Sequence, residues 1–307
     1  MKAVVDVGQI RNNIKDKMKY KLFNWIDIRN EFQNYGITIL EDILKFEKIG
    51  LISDDLSAAI QIRNVNKIVP IIVTKIKNMD QIYDIIMNNL ILSIDDMDMF
   101  NDLCHLKIQD PLQIAIRIDI NNYEDGISSK NYLKIKEYLK SNKNIFLYLL
   151  YAKTNDNKYN NLEQFRELVR SEQASSFIIG KDVEFTSDGY LFKEVFANSL
   201  TYKITINKCY KLTKGTLFVN TKIKKDCYGI KIIAQNIDLT DLKKLKIDQT
   251  IYKVVYYNED TLFLVGNEGV KSGRTIDLPK GIKVNNYFRL PIIYKLNDKT
   301  INFNIFK

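Results

Sequence analysis

Few residues in this chain could carry chemistry unaided, and their types narrow the field. With one histidine in 307 residues, a multi-histidine metal site is excluded. Any triad or acid–base scheme built on imidazole would rest on His105 alone. His105 falls in Leu103–Cys104–His105–Leu106 at the end of a helical stretch, where a structural or exposed histidine is the expectation. Cys104, Cys209 and Cys227 are too scattered for a CxxC motif or a disulfide framework. That usage points to a reducing cytoplasm, and no metal site is expected. The run from Gly266–Asn267–Glu268–Gly269 to Gly273 lacks the spacing and the Gly-Lys-Ser/Thr ending of a phosphate-binding loop. What remains is carboxylate chemistry. Asp27, Asp119 and Glu124 follow apolar, strand-like runs, so they could gather as a carboxylate group, or else lie on loops and cap the following helices. Arg117 lies two residues before Asp119, on the same strand face; buried there it would need a partner, and Asp119 is a candidate.

The elements that must position these residues alternate in kind. Strand-like runs are Ala3–Val7, Leu22–Ile26, Val69–Val73, Leu90–Leu92, Leu112–Ile118, Ile145–Tyr151 and Phe177–Ile179. Between them lie amphipathic stretches, such as Ile39, Leu40, Ile43, Leu44 and Phe46 on one face with Glu41, Asp42, Lys45 and Glu47 opposite. Asn78 with Gln81, Ser93 with Asp96 and Asn160 with Glu163 have the spacing of helix-capping boxes or near variants. Apolar, β-branched strands alternating with helices indicate parallel β/α units. About eight units of ~25 residues fit a (β/α)8 TIM-type barrel; an open doubly wound sheet would want a Gly-rich first turn, which is absent. After about Ser199 short strands separated by turns take over, so the fold class is α/β, a barrel over 1–198 followed by a C-terminal all-β domain over 199–307.

The formal charge is +9. The excess is lysine spread along the chain, densest at Lys222–Lys225 and Lys243–Lys246, and reads first as solvated surface, with polyanion binding the lesser reading. No apolar run approaches the ~18 residues of a membrane span, and no signal peptide pattern opens the chain.

Particular segments resemble the alanine racemases, fold-type III enzymes that use pyridoxal phosphate. Val4–Val5–Asp6–Val7–Gly8–Gln9–Ile10 is similar to that family's V-x-D-L-x-A-I opening, and Tyr35–Gly36 to its Y-G-H-G. Asp119 to Gly126 follows D-T-G-M-x-R-x-G, Ile145 to Asp156 follows T-H-F-A-x-A-D, and Ser199–Leu200 with Lys203 resembles the S-L-K entry into the β domain. The likeness rests on order and spacing more than on identities. It implies a barrel with a β domain, and a head-to-tail homodimer in which one subunit's β domain closes the other's barrel mouth. It also implies what should stand at the catalytic positions. The family's cofactor lysine falls on Asp27, or on Glu31 if the match is slid onto Tyr35–Gly36; a carboxylate forms no imine. Its proton-transfer tyrosine falls on Asn236, with Tyr228 a substitute. Its ring-oxygen arginine falls on Glu124, the lysine before it on Arg117, its histidine on Tyr151 or Leu150, and the tyrosine of Y-R-V-P on Phe288. Ala197–Asn198–Ser199 spells the start of a phosphate loop but runs straight into the S-L-K match.

The expectation is therefore a cytoplasmic pseudoenzyme of alanine-racemase type. It would have no catalytic residues and no cofactor, with Tyr35, Arg117, Glu124, Tyr151 and Phe288 as vestigial cofactor positions. It would serve a binding or regulatory role toward a protein or small molecule, with nucleic acid and membrane not expected as partners. One rival is an active pyridoxal phosphate racemase with displaced residues, for instance Lys19 or Lys21. The other is a basic polyanion-binding module.

Overall fold

The computed structural model describes residues 2–17, 22–29, 35–120, 126–153, 159–179, 189–192, 195–234, 237–258, 261–279, 283–284 and 291–301. Contacts divide the chain into two compact units, one formed by most of 13–195, the other by 2–12, Tyr35–Gly36 and the described residues from Phe196 to Ile301.

The first unit is a parallel barrel. Its strands are β2 (Phe23–Asp27), β3 (Ile49–Ser53), β4 (Ile71–Val73), β5 (Ile91–Ile94), β6 (Leu112–Ile118), β7 (Ile145–Lys153), β8 (Ser175–Ile179) and β9 (Gly189–Phe192). They form an eight-stranded sheet in the order β8-β7-β6-β5-β4-β3-β2-β9, and β8 and β9 lie side by side. Helices α2 (Leu40–Ile43), α3 (Leu56–Val65), α4 (Gln81–Met87), α5 (Met97–His105), α6 (Ser129–Ser141) and α7 (Tyr159–Glu172) alternate with the strands. Because side chains alternate across a strand, one set points inward: Trp25, Ile52, Ile72, Ile91, Ala115, Leu149, Tyr151 and Phe177 pack as a single cluster. The other set, including Ile26, Leu51, Ile71, Leu92 and Ile114, is buried as well, as expected of a parallel sheet covered by helices.

Two barrel strands, β3 and β9, are absent from the sequence-based expectation. The apolar stripe from Ile39 to Phe46 forms only a 3-10 turn (Ile37–Ile39) and the four-residue α2, and the chain then enters β3. Gly50 hides that strand by interrupting its β-branched run. The structure explains it: a Cβ there would lie 2.6 Å from the Trp25 ring. β9 has four residues, too few to display alternation. The caps differ in part. Asn78 accepts from the Gln81 amide at 3.3 Å while Gln81 accepts from the Lys77 amide at 2.6 Å, but α5 is capped by Asp96, which accepts from the Met99 amide at 2.7 Å. The Asn160 side chain lies outside the described residues.

The first strand, β1 (Lys2–Asp6), followed by α1 (Val7–Lys17), does not join the barrel. It pairs antiparallel with β10 (Leu200–Leu212) and parallel with β20 (Ile292–Leu296). Asp6 caps α1 by accepting from the Gln9 amide at 3.0 Å. The second unit also contains β11 (Leu217–Phe218), β12 (Thr221–Lys222), β13 (Cys227–Ile233), β14 (Ile237–Asp238), β15 (Lys244–Ile247), β16 (Thr250–Asn258), β17 (Thr261–Gly266), β18 (Thr275–Asp277), β19 (Lys283–Val284) and β21 (Lys299–Ile301). Its main sheet runs β15-β16-β17-β13-β10-β1-β20-β21, with β18 also paired to β10. One face buries Ile204, Ile230, Ile232, Tyr252, Leu262 and Leu264. Strand β15 replaces an expected lysine cluster: Lys244-Leu-Lys-Ile247 alternates exposed and buried, the period of a strand.

Candidate functional site

Enzymatic β/α barrels place their reactive groups where strands end and loops begin, and here those ends hold a set of partnered polar side chains. At the end of β2, Asp27 receives both prongs of Arg29: Nε donates to Oδ1 at 2.8 Å and Nη2 to Oδ2 at 2.6 Å, and the Arg29 amide adds a bond to Oδ1 at 3.1 Å. Two residues apart, the carboxylate and guanidinium close a bidentate loop, a geometry for which the arginine fork suits and the lysine ammonium does not. The Asp27 hydrogen bond, against the cost of burial, holds the Arg29 guanidinium above its ordinary range, and the charges of Asp27 and Asp54 add to it.

The second set bridges β5, β6 and β7. Tyr151 is buried, and its hydroxyl donates to Asp95 Oδ1 at 2.8 Å and lies 2.6 Å from the Ser93 hydroxyl. Ser93 also donates to the same Asp95 oxygen. Arg117 stands beside Tyr151 across the β6–β7 ladder and pairs with Asp95 Oδ2 at 4.0 Å. Burial first, and then the charge of Asp95, push the Tyr151 phenol far above its usual value, opposed by the Ser93 bond and Arg117. Tyr151 is therefore a protonated donor throughout the physiological range. Beneath it the interior is aromatic: Tyr151 stacks on Phe177 with centroids 5.2 Å apart and planes at 10°, and Phe177 stacks on Trp25 at 5.5 Å.

The expected positions distribute unevenly. Asp27, Arg117 and Tyr151 all lie on the barrel strands, at or near their C-terminal ends. Arg117 finds a carboxylate in Asp95, the residue just past the end of the neighbouring strand β5. The chain returns to Asp119 at Gly126, where φ is +142° and a Cβ would lie 2.8 Å from the Asp119 amide. A glycine is thus required there. Tyr35 belongs to the other unit: its hydroxyl donates to the Phe196 carbonyl at 3.0 Å, its ring meets Phe196 at 4.5 Å, and its own carbonyl accepts from Tyr294 at 2.8 Å. The Ser199 hydroxyl donates to that same Phe196 carbonyl at 2.6 Å. Tyr228 lies on β13, and a Cβ at Gly269 would lie 2.9 Å from its ring. Lys19, Lys21, Glu31, Glu124, Asn236 and Phe288 lie outside the described residues. Sequence reasoning missed Arg29, Ser93 and Asp95. Ser93 and its acidic neighbours read as a helix cap, although Ser93 continues the inward alternation of Ile91.

No family model matches this sequence, and no curated protein does. Solved structures do. An alanine racemase of Clostridium difficile 630 superposes with a TM-score of 0.78 at 14% identity, covering 99% of this chain and 97% of that one. The alanine racemase of Bacillus anthracis with bound L-Ala-P gives 0.79 at 15%, covering 98% and 96%. A histidine racemase of Leuconostoc mesenteroides gives 0.71 at 12%, covering 98% and 90%. The architecture is that of a two-part barrel and β-domain protein. More particularly, the chain has the alanine-racemase fold over essentially its whole length, in a widely diverged sequence.

Proposed function

We propose that this protein keeps the alanine-racemase fold without pyridoxal phosphate racemase chemistry, and that its barrel serves binding or regulation. The observation that carries the reading is the Asp27–Arg29 pair at the end of β2, the position to which the sequence resemblance assigns the cofactor lysine. A carboxylate engaged through both oxygens offers no amine for a covalent link to the aldehyde. The hydroxyls that would meet a phosphate are committed: Tyr35 and Ser199 each have one proton, and both give it to the Phe196 carbonyl. These residues do not fit the cofactor. At the strand ends Tyr151, Ser93, Asp95 and Arg117 satisfy one another, so a barrel that needs no bound group to neutralise its mouth is self-consistent.

We further assign the chain to the cytoplasm, as a head-to-tail homodimer whose C-terminal module, from about residue 199, also takes in the first strand β1. Its described cysteines, Cys104, Cys209 and Cys227, are free thiols, and no described helix is long and apolar enough to cross a membrane. Incubation of the protein with pyridoxal phosphate and L-alanine in deuterated water tests the functional reading. The expected result is no D-alanine and no deuterium at Cα; turnover of either kind overturns it.

A further inference from the structure

The hairpin β11–β12 covers the outward face of the second unit's main sheet without joining its ladder. Among the described residues its two strands pair with each other and with no third strand. Two further backbone bonds extend the hairpin, from the Gly215 amide to the Ile223 carbonyl at 2.8 Å and from the Ile223 amide to the Thr216 carbonyl at 2.9 Å. Side chains hold it to the sheet beneath. Phe218 and Ile223 bury against Leu212, and Val255 of the sheet packs on them. The Phe218 ring meets Tyr210 at 5.7 Å and Phe263 at 5.8 Å. It sits in a socket that glycine leaves open, because a Cβ at Gly229 would lie 2.6 Å from its Cζ.

Three features oppose that closed contact. The legs of the hairpin, Thr213–Gly215 and Lys224–Asp226, are exposed; the Lys214 amide donates to Asp226 at 2.8 Å and couples them. Gly215 has φ +92° and no described atom within 4 Å of a Cβ built there, the freedom a hinge needs. The turn is strained as well. Val219, a β-branched residue, has φ +55°, a conformation that hairpins give to glycine or asparagine. Its side chain packs on the Phe218 cluster, and strain of this kind persists where surrounding contacts impose it. Charge acts in the same direction. Residues 213–226 carry Lys214, Lys222, Lys224 and Lys225 against the one carboxylate of Asp226, and β10, β13, β16 and β17 beneath contain no Asp or Glu. The sheet's own cations flank the socket, Lys208 over the Tyr210 ring at 5.2 Å and Lys231 over the Phe263 ring at 5.9 Å. Like charge is thus gathered on both sides of the contact, where salt screens its repulsion.

We infer that β11–β12 is a flap that lifts from the sheet as ionic strength falls and closes as it rises, while the sheet beneath stays folded. Opening of this kind is a unit of stability separate from global unfolding. Once Phe218 and Ile223 leave the sheet, so short a hairpin does not keep its own ladder, and the Tyr210 and Phe263 rings are uncovered. The flap is independent of what the barrel does.

Hydrogen–deuterium exchange of the full-length protein, read by mass spectrometry at about 20 and about 300 mM sodium chloride, tests it. Peptides covering 213–226 should exchange at least ~10-fold faster than those of β13 and β17, and at least ~3-fold faster at the lower salt than at the higher. K222Q/K225Q, at exposed positions, should slow the flap at low salt and leave it unchanged at high salt. F218A, first checked for folding by circular dichroism, should speed the flap, reduce its salt dependence and leave β17 unchanged. The inference is overturned if the flap exchanges together with β13 and β17, or if salt leaves its exchange unchanged. It is overturned too if K222Q/K225Q does not slow the flap at low salt. Full salt dependence in F218A, where the flap is already released, would place the effect in the exchange chemistry and overturn it as well.

Discussion

At the strand ends of the barrel Arg29 is held by Asp27 and Arg117 by Asp95, whereas on the outer face of the second sheet Lys208 faces Lys231 and Lys244 faces Lys253. Both regions collect charge from distant parts of the sequence, but with opposite results. Parallel β/α units bring the ends of all their strands to one rim, where desolvation makes an unpaired charge costly. Beside the apolar cluster around Phe218 on the antiparallel face, Lys208, Lys244 and Lys253 are exposed, so a lysine there can stay unpaired at small cost. The barrel rim is thus closed electrostatically, while the lysines of the sheet face keep their charge in water.

That contrast can be broken by substitution. The largest effect should come from the packed interior below the rim. Trp25→Ala removes the ring that stacks on Phe177 and fills the space over Gly50, and should cost about 3–5 kcal/mol, read by urea unfolding followed by circular dichroism. A loss below about 1 kcal/mol would mean that the interior is not packed as described.

Next comes the rim itself. Arg29→Ala leaves Asp27 without its fork and should cost about 1–3 kcal/mol. Trp25, the chain's one tryptophan, reports this from inside the barrel. A neutral result would reduce the pair to a surface contact and remove the contrast.

Tyr151→Phe keeps the stacking and loses the phenol, at about 1–2 kcal/mol near neutral pH. It should also change the alkaline limb. With its pKa raised in the folded state, Tyr151 holds its proton after the unfolded chain has released its own at about pH 10. Its stabilisation is therefore complete below that value and falls as pH rises above it. Between about pH 9 and 11 the variant should lose stability less steeply than the wild type, and equal slopes would count against the buried phenol.

The smallest effect lies on the sheet face and has the opposite sign. Lys231→Gln removes one member of a like-charged pair and should stabilise the protein by about a few tenths of a kcal/mol at low salt, fading as salt is added. Destabilisation would show that Lys231 is partnered after all.

The two regions were not equally legible from sequence. Strand β6 shows its full extent in Leu112–Ile118 because Leu112, Ile114, Ile116 and Ile118 recur at every second position across Gln113 and Arg117, whereas β3 is masked by Gly50, a residue whose reason lies in the ring of Trp25 on another strand. The same limit applies to the sites. Asp27 could be singled out because its place in a motif departs from the residue that chemistry demands, but Arg29 carried no such mark. Ser93 and Asp95 lie in a segment with two readings, a helix cap and a strand end, and only the β5–β6–β7 ladder distinguishes them. Lys208 and Lys231 lie 23 residues apart, and it is the antiparallel register that turns dispersed charge into a surface. Spacing along the chain reports local periodicity; pairing between strands is a tertiary fact.

Whether the β2 end offers an amine to a carbonyl cofactor can be read by intact-mass analysis. The protein is equilibrated with pyridoxal phosphate, dialysed, reduced with borohydride and mapped by peptide. No absorbance band near ~420 nm is expected before reduction, and no stoichiometric pyridoxyl group on any barrel lysine. One pyridoxyl group per chain, on a single barrel lysine, would contradict that expectation.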